Sequence, residues 1–424
     1  MQKIKAARPI ARHNTEEIAF KVASILREVR EKGDAALREF TRRFDGVEIG
    51  AFRVPPEALA AALEKIDPRI LADLEFAVGR IRAFAERQKQ SLNAFEFEAL
   101  PGVYLGQRLI PVSSCGAYIP GGRYPLPSSA LMSVLPAKVA GVRRVVACSP
   151  PDRNGGIHPV TLAALAIAGA DEVYCLGGAQ AIAALAYGTE TIRPVDIIVG
   201  PGNIYVTEAK RQVSGHVGID FLAGPSEVLV IADDTADPDF IAADLLAQCE
   251  HDPQACGLLI TTSETLAEKV LAAIEKMLPE LPTAAVAREA WEDNGEIILV
   301  SSLKEAAALA NQMAPEHLEV QVAEPENIVP ELINYGSLFL GSWAAEVFGD
   351  YVSGPNHILP TLRASRFTGG VWVGTFLKVT TYQRLERHGV QALAGAAAGL
   401  AEVEGLSAHR QAAWLRLKSA GERK

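Results

Sequence analysis

The chain has 424 residues, of which 49% are hydrophobic and 22% are charged, and its formal net charge is −10. This composition predicts a globular protein of two or three domains and excludes extensive disorder. The net negative charge argues against general nucleic-acid binding, because no basic field attracts phosphates.

The cysteine pattern and the length of the apolar runs indicate the cellular compartment in which the protein is expected. The cysteines are odd in number and include no C-x-x-C pair, which predicts reduced thiols. No stretch approaches ~18 consecutive apolar residues, so no membrane span is predicted. The basic start MQKIKAARPIARHNTEE lacks the apolar core of a secretory signal, and a cytoplasmic location is expected. The five cysteines are Cys115, Cys148, Cys175, Cys249 and Cys256.

Helical periodicity dominates the first hundred residues. Residues 14–45 and 56–90 place apolar side chains three and four apart, the first run behind an N-cap at Asn14 or Thr15. Residues 93–112 change to short β-like runs such as GVYLGQRLIPV. The sequence therefore predicts N-terminal helices followed by a few short strands.

A regular alternation of helix-like and strand-like segments begins near residue 128. One unit of about 25–30 residues follows another, with strands such as RRVVACSP, DEVYCLG and VDIIVG. A second series contains VLVIAD, GLLITT, EIILV and LEVQV. Such alternation is typical of parallel sheets covered by helices, so we expect an α/β fold with two doubly wound, Rossmann-like parallel sheets. Residues 380–424 are predicted to form two helices, a small C-terminal helical arm.

Three glycine-rich turns follow predicted strands: Tyr118–Arg123, Gly177–Gln180 and Gly200–Asn203. Ligands of open parallel sheets bind at the carboxyl ends of strands, where glycine permits close backbone approach. The alternative is that these glycines only make tight turns before helices. The classical G-x-G-x-x-G fingerprint is absent, since the only G-x-G is followed by Tyr205 at the third glycine position. The local pattern alone does not establish dinucleotide binding.

Several histidines stand beside carboxylate and amide residues in four polar segments. A neutral imidazole is both a metal ligand and a base near pH 7, and a neighbouring carboxylate can fix its tautomer. No two histidines lie within five residues and H-E-x-x-H is absent, so a Zn²⁺ site would have to be assembled from distant segments. Taken singly, each histidine is more often a structural or surface residue than a ligand or a base. The segments are Gln248–Asp252, Pro315–His317, Asp350–His357 and Glu404–His409.

Eight blocks, in the same order, resemble the histidinol dehydrogenase family over roughly residues 14 to 415. They are SALMSVLPAKVAGV, GGAQAIAALAYGTET, VGPGNIYVTEAKR, VGIDFLAGPSEVLVIAD, AQCEHDP, APEHLE, GDYVSGPNHILPT and EGLSAH. The resemblance implies NAD-linked oxidation of L-histidinol to L-histidine in two steps through bound L-histidinal, with one zinc per site in a homodimer.

The resemblance also implies roles for individual residues. Glu316 and His317 would be the acid–base pair. The zinc ligands would be Gln248, His251, Asp350 and His409. Substrate would be contacted by the zinc ligands, His317, Ser226, His357 and Glu404, and NAD by Tyr118, Gln180 and Asn203. Glu404 and His409 would act across the dimer interface.

The expected domain plan combines the alternation with this resemblance. Residues 1–14 would be an N-terminal arm, and residues 15–115 with 226–366 a discontinuous first α/β domain. Residues 116–225 would be the NAD-binding α/β domain, and residues 367–424 the C-terminal helical dimerisation arm. No nucleic-acid or membrane partner is expected.

Two stretches depart from the commonest family pattern. The loop GGRYPLPSS is unusual, and residues 367–383, FTGGVWVGTFLKVTTYQ, resemble paralogues that oxidise other small alcohols, including sulfopropanediol dehydrogenases. Asp252, Tyr351 and Ser226, which favour histidinol, are nevertheless present. A zinc- and NAD-linked dehydrogenase of a sulfopropanediol is therefore the alternative function. A non-catalytic binding protein that kept the fold is a further alternative, opposed by retention of every implied ligand.

Overall fold

The computed structural model describes residues 2–8, 15–121 and 124–421 of the chain. The predicted N-cap position Asn14, and Gly122 and Arg123 of the first glycine turn, lie outside these ranges. The strands within them are β1 (Gln2–Lys5), β2 (Phe95–Leu100), β3 (Val103–Pro111), β4 (Ser114–Tyr118), β5 (Arg144–Ser149), β6 (Glu172–Cys175), β7 (Ile197–Val199), β8 (Gly218–Ile219), β9 (Glu227–Ala232), β10 (Cys256–Thr261), β11 (Glu296–Leu299), β12 (His317–Gln321), β13 (Ser337–Leu340) and β14 (Leu377–Leu385).

The helices over the same ranges account for most of the remaining chain. They are α1 (Thr15–Lys32), α2 (Asp34–Phe40), α3 (Pro56–Lys65), α4 (Pro68–Gln90), α5 (Pro127–Ala140), α6 (Pro159–Ala168), α7 (Gly178–Tyr187), α8 (Ile204–Val213), α9 (Pro238–Cys249), α10 (Glu264–Met277), α11 (Ala284–Asn294), α12 (Leu303–Met313), α13 (Glu346–Tyr351), α14 (Arg387–Val403) and α15 (Ser407–Gly421). None of these described helices combines the length and apolar character that crossing a bilayer requires.

The first α/β series forms a five-stranded parallel sheet. Its strand order is β6-β5-β4-β7-β8, and every neighbouring pair is parallel. The chain starts in the middle with β4, builds to one edge with β5 and β6, and then crosses to the other side. This is the order of a doubly wound sheet, in which ligands bind beyond the carboxyl ends where the order reverses, here between β4 and β7.

The second series forms a six-stranded sheet of order β1-β11-β10-β9-β12-β13. Strands β9 to β13 are parallel to their neighbours and wind outward from the central strand β9 in the same way. Strand β1, which the sequence did not predict, lies antiparallel at the edge beside β11. The predicted mixed α/β fold with two parallel sheets is confirmed.

Strand β9 shows why these sequences form central strands. Val228 and Val230 pack into a core cluster with side chains of α9, α10 and α11. Leu229 and Ile231 point to the opposite face and pack with α12. Because helices cover both faces, the strand needs a continuous apolar run rather than an alternating one.

Side-chain caps determine where two functionally relevant helices begin. Asn203 caps α8 by accepting hydrogen bonds from the N–H groups of Tyr205 and Val206 at 3.0 and 3.1 Å. Asp237 caps α9 by accepting from the N–H of Asp239 at 2.9 Å. Each such cap stabilises a helix by about 1 kcal/mol. The caps therefore fix the start of the helices that hold two of the predicted site segments.

The chain divides into two compact units. One comprises Met1–Arg87 and Ser113–Phe376 and contains both parallel sheets, and the other comprises Gln88–Val112 and Leu377–Lys424. Within the second unit, β14, β3 and β2 form an antiparallel sheet in that order. The two predicted C-terminal helices are present as α14 and α15, but the prediction was wrong for residues 380–385, which belong to β14.

Smaller differences from the predicted elements have local causes. The predicted helix over residues 14–45 is interrupted at Gly33, which has a positive φ of 53° that glycine adopts without strain. The predicted helix over residues 56–90 breaks before Pro68, because a residue that precedes proline disfavours helical geometry. Helix α11 was not predicted.

Candidate metal and acid–base site

The predicted acid–base pair lies at the amino end of β12. His317 is the first residue of that strand and pairs in register with Val228 of β9. The backbone of Glu227 contacts both members of the pair. Its N–H donates to Glu316 Oε2 at 3.0 Å, and its carbonyl oxygen lies 3.2 Å from His317 Nδ1. The neighbouring strand therefore fixes the orientation of both side chains.

The His317 imidazole is neutral and has one free ring nitrogen. Burial lowers the pKa of His317 to about 4, against the opposing effect of the Asp350 carboxylate. If Nδ1 donates its proton to the Glu227 carbonyl, Nε2 holds the lone pair. Nε2 is buried without a hydrogen-bond partner in the described part of the chain, and Asp350 Oδ1 is 3.7 Å away. This nitrogen can accept a proton from a bound molecule.

The Glu316 carboxyl has the opposite shift. Burial raises its pKa well above the usual value, and the neighbouring carboxylates of Glu227 and Asp350 raise it further, while the N–H of Glu227 opposes the shift. A buried carboxyl with a raised pKa beside a buried imidazole is a candidate for proton transfer. Glu316 and His317 thus supply two groups suited to proton transfer within one buried site.

Potential cation donors converge beside this pair. One donor atom each from His251, Glu346 and Asp350 lies within 4.8 Å of the other two. His251 follows the end of α9, whereas Glu346 and Asp350 are four residues apart on α13 and so share one face of that helix. Ligands on a tetrahedral zinc at ~2.1 Å are about 3.4 Å apart, so modest side-chain adjustment would allow all three to bind one ion.

Gln248 joins the same group through Glu346. It lies fully buried in the last turn of α9. With its amide nitrogen turned toward Glu346, it donates to the two carboxylate oxygens at 2.7 and 3.1 Å. Glu346 Oε1 is also 3.4 Å from His317 Nδ1. The donors and the acid–base pair therefore form one continuous polar cluster.

Glu346 is the main site residue that the sequence reasoning missed. Its spacing of four residues from Asp350, within the segment EVFGDY, is a helical signal that could have pointed to it. The polar segment predicted from the sequence begins only at Asp350 and therefore leaves Glu346 out.

The electrostatics of the cluster favour a bound cation. Burial raises the pKa of Glu346 well above its usual value, and every other group that shifts it strongly is a carboxylate. These groups are Asp350, Glu319, Glu316 and Asp244. Several carboxylates buried together are unfavourable unless they are protonated or share a cation. The mixture of imidazole and carboxylate donors fits Zn²⁺.

The residues implied in substrate binding fall in both units. His357 lies beside the donors, with Nδ1 2.8 Å from the carbonyl oxygen of Asp350 and Nε2 3.4 Å from Ser129 Oγ. Ser226 directly precedes Glu227, which contacts the acid–base pair. Within the second unit, Glu404 ends α14, His409 lies in α15, and both are exposed.

The three glycine turns lie together at the carboxyl end of the five-stranded sheet. The hydroxyl of Tyr118 accepts a hydrogen bond from the N–H of Gly178 at 3.1 Å. A Cβ on Gly200 would come within 2.1 Å of the Tyr118 carbonyl oxygen, so only glycine fits there. Gln180 is buried, and its Oε1 has no hydrogen-bond partner among the described residues. A buried acceptor without a partner at the carboxyl end of a parallel sheet could be satisfied by the N–H or O–H of a bound ligand.

A buried ion pair holds the turn at Gly200. Lys210 and Asp220 form a salt bridge, and their side chains are 3% and 1% exposed. The Lys210 ammonium donates to the carbonyl oxygen of Gly200 at 3.0 Å, and Asp220 Oδ2 accepts from its N–H at 2.9 Å. The N–H and the carbonyl oxygen of Gly200 are thus both fixed by charged groups just before the cap Asn203.

The fold is α/β, and the site places a buried imidazole and a buried carboxyl next to potential cation donors. The sequence profile described as histidinol dehydrogenase matches residues 9–417. The chain belongs to the histidinol dehydrogenase family, a family of oxidoreductases.

Individual relatives agree with this assignment. A histidinol dehydrogenase homolog from Shouchella clausii is 49% identical, covering 95% of this chain and 94% of that protein. Histidinol dehydrogenase from Methanosarcina barkeri is 46% identical, covering 94% and 91%. The crystal structure of histidinol dehydrogenase from Elizabethkingia anophelis matches with a TM-score of 0.92 at 37% identity, covering 98% and 95%.

Proposed function

We propose that this protein is a zinc-dependent, NAD-linked dehydrogenase that oxidises L-histidinol to L-histidine through bound L-histidinal. The observation that carries the proposal is the neutral His317, whose free Nε2 lies beside the donors His251, Glu346 and Asp350. Family membership supports the substrate. The geometry supports a reaction that removes protons from a hydroxyl group held next to a cation.

His317 would act in the first oxidation. Its free Nε2 accepts the hydroxyl proton of the substrate while the carbon-bound hydrogen leaves as hydride. The low pKa keeps the imidazole unprotonated at neutral pH, so the base is ready before substrate binds. The Glu227 carbonyl, which holds Nδ1, keeps Nε2 directed into the site.

Glu316 would act in the second oxidation, which needs a water molecule added to the aldehyde. Its carboxylate form accepts a proton from that water, and the resulting hydrate then loses hydride to give the acid. The N–H of Glu227 stabilises that form at Oε2, while burial favours its reprotonation. The two members of the pair would thus serve different half-reactions.

Zinc would be held by Gln248, His251, Asp350 and His409, with Glu346 next to it. When bound, zinc would orient the imidazole and amine of the substrate. NAD would be contacted by Tyr118, Gln180 and Asn203 and would accept the hydride of each step. The orphaned Gln180 Oε1 supports this placement, because a ligand N–H or O–H would satisfy it.

We further propose a homodimer in which Glu404 and His409 complete the site of the partner subunit. Both lie exposed in the second unit, where strand β2 is exposed along its whole length. Exposed apolar side chains such as Phe95, Phe97 and Val379 support burial against a second chain. The absence of disulfides among the cysteines supports a reducing, cytoplasmic location.

A second substrate is kept as the alternative because two close relatives, from Shouchella clausii and Mesorhizobium japonicum, are named only as homologs of histidinol dehydrogenase. Together with the unusual residues 367–383, this favours testing a sulfopropanediol. Purified protein with its metal content measured would be given L-histidinol or 2,3-dihydroxypropanesulfonate, and NADH absorbance followed. NADH from the sulfonate alone would select the alternative, and no NADH from either would reject both.

Two variants test whether His317 and Glu316 serve different half-reactions. With L-histidinol as substrate, His317→Asn should slow the first oxidation by ~10²–10⁴-fold. With L-histidinal, Glu316→Gln should slow the second oxidation by a similar factor and leave the first largely intact. Equal effects of Glu316→Gln on both half-reactions would refute the assignment.

A further inference from the structure

Strand β12 carries polar side chains where a central strand usually has apolar ones. His317, Glu319 and Gln321 alternate along it and therefore point to the same face of the sheet. All three are at most 4% exposed. They share that face with the apolar residues of β9 that pack under α9. Buried polar groups of this kind persist only when they are hydrogen-bonded, so their partners identify what they hold.

The middle residue of this stripe, Glu319, binds a carboxyl on α9. Gln321 Nε2 donates to Glu319 Oε2 and to Asp244 Oδ2, both at 3.0 Å. The carboxyls of Asp244 and Glu319 also lie close enough for each to shift the pKa of the other. Asp244 lies one helical turn before Gln248, so this contact attaches β12 to the helix of a proposed zinc ligand.

The other oxygen of Glu319 binds the start of α13. Glu319 Oε1 accepts a hydrogen bond from the backbone N–H of Glu346 at 2.9 Å, and the bond is buried. Helix α13 contains only the six residues Glu346–Tyr351, including Asp350. A helix this short does not hold its shape or place by itself, and the exposed side chains of Val347 and Phe348 add little packing. Its position therefore depends on anchors such as Glu319.

We propose that Glu319 is a positioning residue that holds α9 and α13 at the separation needed for cation binding. Its hydrogen bonds join it to Gln321 and to the backbone N–H of Glu346, so it would act through these residues and not on the substrate itself. Its carboxyl connects the strand of the acid–base residue His317 with the helices of Gln248 and Asp350. The inference rests on the proposed zinc site and adds the residue that sets its geometry.

Two substitutions of Glu319 distinguish a positioning role, which needs its hydrogen bonds, from a role in packing alone. Glu319→Met keeps the volume but removes the acceptor for the N–H of Glu346 and the partner of Asp244. Glu319→Gln keeps the shape of the side chain and an oxygen for that N–H, and its amide can donate to the Asp244 carboxylate. Val320→Ala is the matched control, because Val320 is fully buried on the same strand but faces the opposite core cluster.

The readout is zinc affinity, measured by competition with a chromophoric chelator on each purified, folded protein. Loss of a group that orients metal ligands typically weakens metal binding by about 10–100-fold. We expect this loss for Glu319→Met, a change of less than about threefold for Glu319→Gln, and unchanged affinity for Val320→Ala despite its lower unfolding temperature.

Each outcome bears on the inference. Wild-type zinc affinity in folded Glu319→Met would overturn it and leave the proposed function intact. Equal losses in Glu319→Met and Val320→Ala would also overturn it, since general destabilisation would then be the cause. A wild-type protein with no zinc affinity would overturn the proposed function and this inference together. Should Glu319→Met fail to fold, Glu319→Asp replaces it, because a shorter carboxylate cannot reach both Asp244 and the N–H of Glu346. It should then show the same loss.

Discussion

The buried ion pair beneath the Gly200 turn allows a prediction whose size can be worked from its contacts. Removing one member of a buried pair typically destabilises a protein by about 3–5 kcal/mol, because the other charge is left unpaired. In Lys210→Met, the Asp220 carboxylate still accepts from the N–H groups of Gly200 and Phe221 at 2.9 and 2.7 Å. We therefore expect a loss near ~3 kcal/mol.

Asp220→Leu should lower the free energy of unfolding more than Lys210→Met does, because Lys210 would retain only the Gly200 carbonyl as an acceptor. Two backbone N–H groups would also lose their partner, so the loss should reach or exceed ~5 kcal/mol. The double variant removes both charges and should lose less than the sum of the single variants, giving a coupling of up to ~3 kcal/mol.

The assay is equilibrium urea unfolding of the two single variants, the double variant and the wild type. Arg211→Met is the control, since the neighbouring Arg211 is 54% exposed and pairs with Glu208 on the surface. That control should change the free energy of unfolding by less than ~1 kcal/mol. Additive effects, or losses below ~1 kcal/mol for both buried members, would refute the reasoning. Variants that remain folded should also show a raised KM for NAD, because the displaced turn contains Asn203.

Three further predictions concern the cap residue Asn203, the half-buried carboxyl of Asp45 and the binding of zinc. Asn203→Asp should keep the cap of α8 and the free energy of unfolding of the protein, but it should raise the KM for NAD several-fold, since a carboxylate repels the pyrophosphate. Asn203→Ala removes the cap and should lower the free energy of unfolding by about 1 kcal/mol. Burial raises the pKa of Asp45 to about 6, so its charge destabilises the fold as pH rises from about 4 through 6. Asp45→Asn should therefore raise the unfolding free energy at pH 7.5 by about 1 kcal/mol, a value reduced for partial exposure, and by little near pH 4. Chelation of bound zinc should lower the thermal unfolding midpoint in wild type but not in a His251→Ala, Asp350→Ala double variant.

The local pattern was sufficient for most of the fold. A parallel strand that is buried on both faces requires an unbroken apolar run, such as VLVIA in β9. Short β-branched runs of this kind are typical of central strands, so the two sheets could be predicted. Edge and antiparallel strands carry weaker signals. Strand β1 has lysine at every second position, and β14 is mostly exposed. Neither strand therefore has the apolar run that is typical of the central strands.

From local pattern alone, the site was predictable only where its residues are neighbours in sequence, and the distant residues Gln248, His251 and Asp350 were named only through the family resemblance. Glu316 and His317 adjoin each other, and their position before a strand was visible. The contact of Asp244 with Glu319 joins residues 75 positions apart in the sequence, and no local period predicts such a pairing. Glu319 and Gln321 occupy positions in β12 where an apolar run would be expected, and polar residues in a central strand are the signal that could have identified them.

The two halves of the chemistry are built on different sheets. The acid–base pair begins a strand of the six-stranded sheet, whereas the glycine turns follow strands of the five-stranded sheet. Changes in α9 or α13 can therefore leave unaltered the backbone of the glycine turns, which is the proposed coenzyme site. A mutant library restricted to α9, α13 and the loops around them would test whether the alcohol that is oxidised can be changed while NAD binding is kept.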